Sequence, residues 1–344
     1  MDTERCNPLE ELNFAYFTNL VHENILYFVK EQCNGHLRTI LESHLTVQGK
    51  KVRSKIVYEL GSYLKVPYFD LVQLATASEL LHEATLIHDD IQDEDELRRG
   101  EKTFWTKYGL SHAINAGDFL LMLSLKPLIE LCNTTLLKLH TEASFSLAQG
   151  QAEEIFVKEN CHLSSKDFYQ SCIEQKTASL FSCLAESVGV LAKIKKDQLE
   201  SIKSLFLEIG CLFQMQDDLL DLYGDKQRES IGCDIKEGKI SFLIHTHLES
   251  HPDDLEEIKT VLSKTKTQTT YEDICKLKSL FEKKGTLTQS TNILVRKAQE
   301  CLESAEKNSL FAKESHFIQR IVSLILKPIE HILYADTPAS FKSL

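Results

Sequence analysis

Residues 71–93, LVQLATASELLHEATLIHDDIQD, decide how the rest of the chain is read. Leu71, Leu74, Ala77, Leu81, Ala84, Thr85 and His88 recur at helical spacing, Pro67 ends what precedes them, and Asp70 is placed as an N-cap. The helix then runs into acid: Asp89, Asp90, Asp93, Glu94 and Asp95. A helix C-terminus carries the negative end of the macrodipole, so carboxylates there are disfavoured by a few tenths of a kcal/mol, up to ~1 kcal/mol. Asp89 and Asp93 share a face and Asp90 lies about 100° round the helix from Asp89. Two readings follow: a solvated helix end, or a place where a strongly positive ligand relieves three carboxylates.

The remainder of the chain extends the helical pattern. Of 344 residues, 42% are apolar and 26% charged, which suits a globular protein with a large core. Only 6 Pro and 13 Gly occur, and no Pro lies between Pro127 and Pro252, so long helices are uninterrupted there. Helical periodicity runs from Leu9 to about Leu333, broken by polar connectors such as CNGH (33–36), KVPYFD (65–70), KENCHLSSKD (158–167), GDKQRESIGCD (224–234) and ESHPDD (249–254), without convincing strand alternation. The expectation is an all-α protein, one domain over 1–344 with short tails at about 1–10 and 336–344.

Charge and cysteine content narrow the function. A net charge of -12 argues against a general nucleic-acid binder but leaves room for a small phosphorylated ligand in a local basic pocket. The 10 Cys form no C-x-x-C pair and read as small buried hydrophobes in a reducing compartment. The acidic start MDTERCNPLEEL lacks an apolar signal region, and no run reaches the length of a membrane span, so a cytoplasmic location is expected.

A second acidic cluster repeats the spacing of the first. In FQMQDDLLDLYGD (213–225), Asp217, Asp218 and Asp221 stand at i, i+1 and i+4, inside a helix predicted over about Ile202 to Leu222. Leu212, Phe213, Met215, Leu219, Leu220 and Leu222 make that helix apolar nearly all round, which implies burial. Buried carboxylates need metal or basic partners. Oxygen-only ligands of this kind suit Mg²⁺, which takes one or two carboxylates plus phosphate oxygens and waters. An EF-hand reading of DDIQDEDELRRG fails, because the sixth loop position is not Gly.

With these residues the chain resembles the trans-polyprenyl diphosphate synthases, the head-to-tail isoprenoid chain-elongating enzymes, from about Gly49 to Ser241. The resemblance rests on an ordered set: GKKVRS, HEATLIHDDIQDEDELRRG, YGLSHAINAGDFLL, GQAEEI, EQKTASLF, FQMQDDLLD and GCDIKEGKIS. It implies a single large helical bundle around a central cavity and a homodimer. The allylic diphosphate would be clamped by Mg²⁺, three ions in all, on Asp89, Asp90 and Asp93 from one side and on Asp217, with Asp218 and Asp221 nearby, from the other. Arg98, Lys176 and Lys239 would add cationic contacts. Isopentenyl diphosphate would bind Lys50, Arg53, His82 and Arg99, while Thr177 and Gln214 would offer oxygen dipoles to the allylic cation.

Taken without the family, Arg98 and Arg99 read as a helix-ending pair and His82 as a core histidine. Lys176 and Gln214 are harder to dismiss, since each sits in a strongly apolar helix. Ser54, Glu154 and Cys233 depart from residues usual in the family. Chain length is expected to be set one to two turns before Asp89, at Leu81, Ala84 and Thr85, with Ala77 and Ala75 deeper and Phe119 and Met122 as further candidate stops. Ala84 and Thr85 leave that level open, which predicts a product of at least twenty carbons. A class I terpene cyclase, a head-to-head condensing enzyme and a non-catalytic partner subunit are the competing readings. The intact pair of acidic clusters and the basic residues Lys50, Arg53 and Arg99 favour elongation.

Overall fold

The computed structural model describes residues 13–46, 51–160, 168–224, 231–311 and 315–333. Its elements run α1 (Phe14–Gln32), α2 (Gly35–His44), α3 (Val52–Tyr63), α4 (Tyr68–Gln92), β1 (Leu97–Arg98), β2 (Glu101–Lys102), α5 (Phe104–Tyr108), α6 (Leu110–Leu123), α7 (Leu125–Glu130), α8 (Thr134–Asn160) and α9 (Phe168–Ile173). A π-helical turn follows (Glu174–Ala178), then α10 (Ser179–Leu191), α11 (Lys196–Tyr223), α12 (Cys233–Lys236), α13 (Phe242–Ser250), α14 (Leu255–Leu262), α15 (Tyr271–Lys283), α16 (Thr286–Lys307), α17 (His316–Leu326) and α18 (Glu330–Leu333). The all-α expectation holds. Among the described residues the only sheet is the two-stranded hairpin β1–β2, where Arg99 (φ 55°) and Gly100 (φ 77°) form a tight turn.

Arg98 and Arg99 therefore lie in a hairpin and its turn, and not at a helix end. Asp70 likewise falls in the first turn of α4, whose N-cap is Pro67. Proline suits that place because the first helical N–H groups have no intrahelical acceptor. The connectors predicted at 33–36, 65–70, 224–234 and 249–254 each hold or adjoin a helix end, although α2 already begins at Gly35 and α4 at Tyr68. No helix among the described residues is long and apolar enough to cross a membrane.

The chain divides into two compact units. The first comprises Met1–Glu96, Lys102–Glu142 and Cys183–Ile202. Its centre is α4, buried without a break from Leu71 to Leu81, which packs against α1, α3, α6 and α7. Full burial of one Leu, such as Leu80, contributes about 1.5–3 kcal/mol. Three polar residues on this helix pair with its neighbours: the Asn24 amide of α1 donates to Gln73 (3.1 Å) and Thr76 (3.0 Å), and the His44 ring lies 2.8 Å from Glu83.

The second unit comprises Leu97–Glu101, Ala143–Ser182 and Lys203–Leu344. In it α16 packs against α13, α15 and α17. His247 of α13 is fully buried between the Thr286 hydroxyl (2.7 Å) and Asp254 (2.9 Å), and Lys284 reaches Asp254 at 2.7 Å. Burial lowers the His247 pKa, with the Asp254 hydrogen bond opposing the shift.

Candidate functional site

In the first unit the acidic motif occupies the last turn of α4. Asp90 and Asp93 are buried and Asp89 half-buried. Helical geometry persists through Asp93, whose N–H donates to the Asp89 carbonyl at 2.8 Å. Beyond it the segment is held by its backbone. The Asp95 carbonyl accepts from the Trp105 indole N–H and from the Thr103 hydroxyl, both at 2.7 Å, and the Asp95 N–H donates to the Asp90 carbonyl at 2.9 Å. The single Trp of the chain thus fixes the exit from the motif.

His88 packs on α6 where Gly117 gives it room: a Cβ at 117 would stand 2.2 Å from the imidazole. One turn back, Ala84 and Leu81 are buried and Thr85 is half-buried, its hydroxyl donating to the His82 carbonyl at 2.8 Å. Ala75 and Ala77 are fully buried. Phe119 is half-buried, whereas Met122 is 60% exposed on α6.

Of the basic residues expected for a second diphosphate, Lys50 lies outside the described residues, and Arg53 and His82 are half-buried on α3 and α4. The neighbouring Lys51 has a left-handed backbone (φ 52°) immediately before α3, and its ammonium lies 3.1 Å from Glu79. Glu79 also accepts from the Ser54 hydroxyl at 2.6 Å and from the Ser54 N–H at 3.3 Å.

In the second unit three of the predicted residues, Thr177, Gln214 and Asp218, join in one network. The Thr177 hydroxyl donates to Gln214 Oε1 (2.7 Å), and the Gln214 amide donates to Asp218 Oδ1 (2.8 Å). Asp218 Oδ2 accepts from the Tyr169 hydroxyl and from the Phe242 N–H, both at 2.8 Å. Burial first, and then the Asp218 carboxylate, push the Tyr169 hydroxyl well above the usual phenol range, so it stays a donor. Asp221 Oδ2 accepts from the Asp234 N–H at the start of α12 (3.1 Å). Asp217 is half-buried on the same helix.

Lys176 and Thr177 sit on the π-helical turn, a rare geometry that occurs often at functional sites. Two glycines let other helices close on it. A Cβ at Gly150 of α8 would stand 2.8 Å from the Lys176 nitrogen, and one at Gly210 of α11 would stand 2.5 Å from the Ala178 Cα. The Lys176 ammonium lies 2.6 Å from Glu154, and that of Lys239 lies 2.7 Å from the buried Glu237. Cys172 is near this group, but burial pushes its thiol up to about 12, so it is no thiolate nucleophile.

The structure thus brings Thr177, Gln214 and Asp218 into one network and gives Lys176 and Lys239 carboxylate partners. Sequence reasoning missed Tyr169, Glu237, Glu79 and the π-helical turn. Gln214 and Asp218, four apart on one helix, were open to discovery from spacing. Tyr169 and Asp218, 49 residues apart, were not.

No group of three or more His, Cys, Asp or Glu side chains among the described residues forms a metal cage by itself. Each acidic motif by itself offers only carboxylate oxygens, the donor type that Mg²⁺ takes.

Comparisons with known proteins agree on one group. The polyprenyl synthetase family matches residues 34–278. A geranylgeranyl diphosphate synthase of Saccharolobus solfataricus is 31% identical over 255 residues, covering 71% of this chain and 76% of that protein. A protein named terpene synthase from Matsumurasca onukii is 28% identical over 265 residues, covering 76% and 85%. The crystal structure of a geranylgeranyl pyrophosphate synthetase from Pyrococcus horikoshii superposes with a TM-score of 0.79 at 24% identity, covering 91% of this chain and 98% of that one, a likeness of fold.

Proposed function

The chain belongs to the polyprenyl synthetase family and is a chain-elongating trans-prenyltransferase, and we propose that it joins isopentenyl diphosphate to an allylic diphosphate to give an all-trans product of twenty carbons or more. The observation that carries this reading is the Thr177–Gln214–Asp218 hydrogen-bond chain beside Lys176, which unites the residues expected to face an allylic cation with the second acidic motif. In this reading 1–344 works as one domain, as a homodimer in the cytoplasm. The exposed apolar side chains Leu110, Ile114 and Met122 of α6 support cover by a second copy.

The reaction begins when the allylic C–O bond ionises and negative charge grows on the leaving diphosphate. Arg98, Lys176 and Lys239 stabilise that charge, which is larger in the transition state than in the bound substrate. Asp89, Asp90 and Asp93, together with Asp217 and its neighbours Asp218 and Asp221, would hold Mg²⁺, three ions by analogy with the family. When bound, the metal supplies Lewis-acid stabilisation of the diphosphate oxygens. The Thr177 hydroxyl oxygen and the Gln214 side chain direct dipoles at the allylic cation, while Lys50, Arg53, His82 and Arg99 hold isopentenyl diphosphate in reach. The released pyrophosphate removes a proton after the C–C bond forms.

The relative named terpene synthase favours one rival reading, ionisation of a single allylic diphosphate to a hydrocarbon or alcohol. Incubating the purified chain alone with Mg²⁺, isopentenyl diphosphate and a C15 allylic diphosphate separates them. Elongated diphosphate that forms only when both substrates are present is expected. Hydrocarbon from the allylic substrate alone would support the rival, and no turnover from a folded chain would support a partner-subunit role.

A further inference from the structure

Glu79 stands ten residues before Asp89 on α4, where the helix is otherwise packed with apolar or small side chains. It is buried, and a buried carboxylate persists only when it is paired and hydrogen-bonded. All its partners come from one place, the turn that opens α3. Lys51 Nζ lies 3.1 Å from Oε2, and the Ser54 hydroxyl and N–H donate to Oε1 at 2.6 and 3.3 Å. The other charged side chains nearby along these helices are engaged elsewhere: Lys55 with Glu59 at 2.8 Å, and Glu83 with His44 at 2.8 Å.

This turn needs an outside support. Lys51, the N-cap residue of α3, has φ 52° and makes no side-chain cap hydrogen bond. Left-handed backbone is unfavourable for a residue with a Cβ and persists when its surroundings hold it. The Ser54 N–H belongs to the first turn of α3, among the donors that lack an intrahelical acceptor. Glu79 satisfies that donor from another helix and fixes the left-handed residue through its side chain. Its negative charge also sits favourably at the positive end of α3.

We infer that Glu79 and Ser54 are positioning residues for Arg53 at the start of α3, and that Lys51 serves as their anchor and not as a substrate ligand. The inference rests on the reading that Lys50 and Arg53 bind isopentenyl diphosphate. With Glu79 and Ser54 intact, Arg53 leaves from the first turn of a helix whose start is fixed to α4, the helix that carries the first acidic motif. Arg53 and the first acidic motif are then both tied to α4, so binding of the second substrate does not have to order the start of α3. Loss of that preorganisation weakens isopentenyl diphosphate selectively.

Steady-state kinetics of Ser54→Ala and Glu79→Gln, with Arg53→Ala as reference, test this. Ser54→Ala is expected to raise KM for isopentenyl diphosphate about five- to tenfold, the factor that corresponds to one lost hydrogen bond. Glu79→Gln is expected to raise it further, while KM for the allylic starter and kcat change less than about twofold in both. Combining the two substitutions should give less than the product of the single effects, because they remove one cluster. If Arg53→Ala raises KM for isopentenyl diphosphate but Ser54→Ala and Glu79→Gln do not, or if they shift both KM values equally, the positioning role is overturned and the substrate reading survives. An unchanged KM in Arg53→Ala would overturn the substrate reading, and the inference with it. Should Glu79→Gln fail to fold, Ser54→Ala, which deletes one oxygen, decides alone.

Discussion

The two D-D-x-x-D motifs have the same spacing and are treated differently by the fold. At the end of α4, the chain leaving the first is held through its backbone, by the Trp105 indole and the Thr103 hydroxyl on the Asp95 carbonyl. Within α11, the second is fixed through its carboxylates: Asp218 accepts from Tyr169, Gln214 and the Phe242 N–H, and Asp221 accepts from the Asp234 N–H. A motif at a helix end can be held by the loop that follows it. A motif inside a buried helix has its backbone already spent on the helix, so only side chains remain to tie it to its surroundings. In the proposed reading Asp217 is a metal ligand, while Asp218 also ties Gln214, Tyr169 and Phe242 to α11 and Asp221 ties the start of α12 to it.

The residues before each motif differ as well. One turn ahead of the first stand Ala84 and Thr85; the matching places ahead of the second hold Leu212 and Phe213, with the Phe213 ring 5.3 Å from that of Phe181. Small side chains thus precede the first motif, and large ones fill the core ahead of the second.

Four substitutions bear on this contrast. The largest effect is expected from Asp89→Ala and Asp217→Ala, each lowering kcat by at least ~10²–10³-fold, the scale for loss of an electrostatic group at the reacting centre, with the circular dichroism spectrum unchanged. Full activity in either would remove that residue from the metal site. Asp218→Ala should instead unfold first: it leaves the Tyr169 hydroxyl, the Gln214 amide and the Phe242 N–H without their acceptor, at about 2–4 kcal/mol by chemical denaturation. If Asp217→Ala costs as much stability as Asp218→Ala, the division of labour within the second motif is wrong.

The smallest effect on rate, though not on outcome, is expected from Thr85→Phe, which gives the first motif the bulk that Phe213 gives the second. Its products should shorten by one or more five-carbon units in a chain-length assay. The same change at Ala84 is a poorer probe, because that residue is only 1% exposed and overpacking there would cost ~1–3 kcal/mol as well. Unchanged products from a folded Thr85→Phe would move the chain-length determinant elsewhere.

Much of this was legible in the order of residues alone. Helices, their ends at Pro67, Tyr223 and Ser250, and the shared face of each acidic motif follow from a period of 3.6 residues and from local stop signals, which act over a few positions. The exceptions are local too: Arg98 and Arg99 read as a helix end because nothing in sequence distinguishes that from a turn with Arg99 at φ 55° followed by Gly100. Partnerships across long separations were decided by tertiary structure. Glu154 meets Lys176, Tyr169 meets Asp218, and Glu79 holds Ser54 and Lys51, over separations of 22 to 49 residues. A hydrogen bond requires its atoms within about 3 Å, and only the packing of helices from distant parts of the chain brings such pairs that close. The sequence by itself determined which chemistry the chain carries, and the fold determined which of those groups serve to hold the others in place.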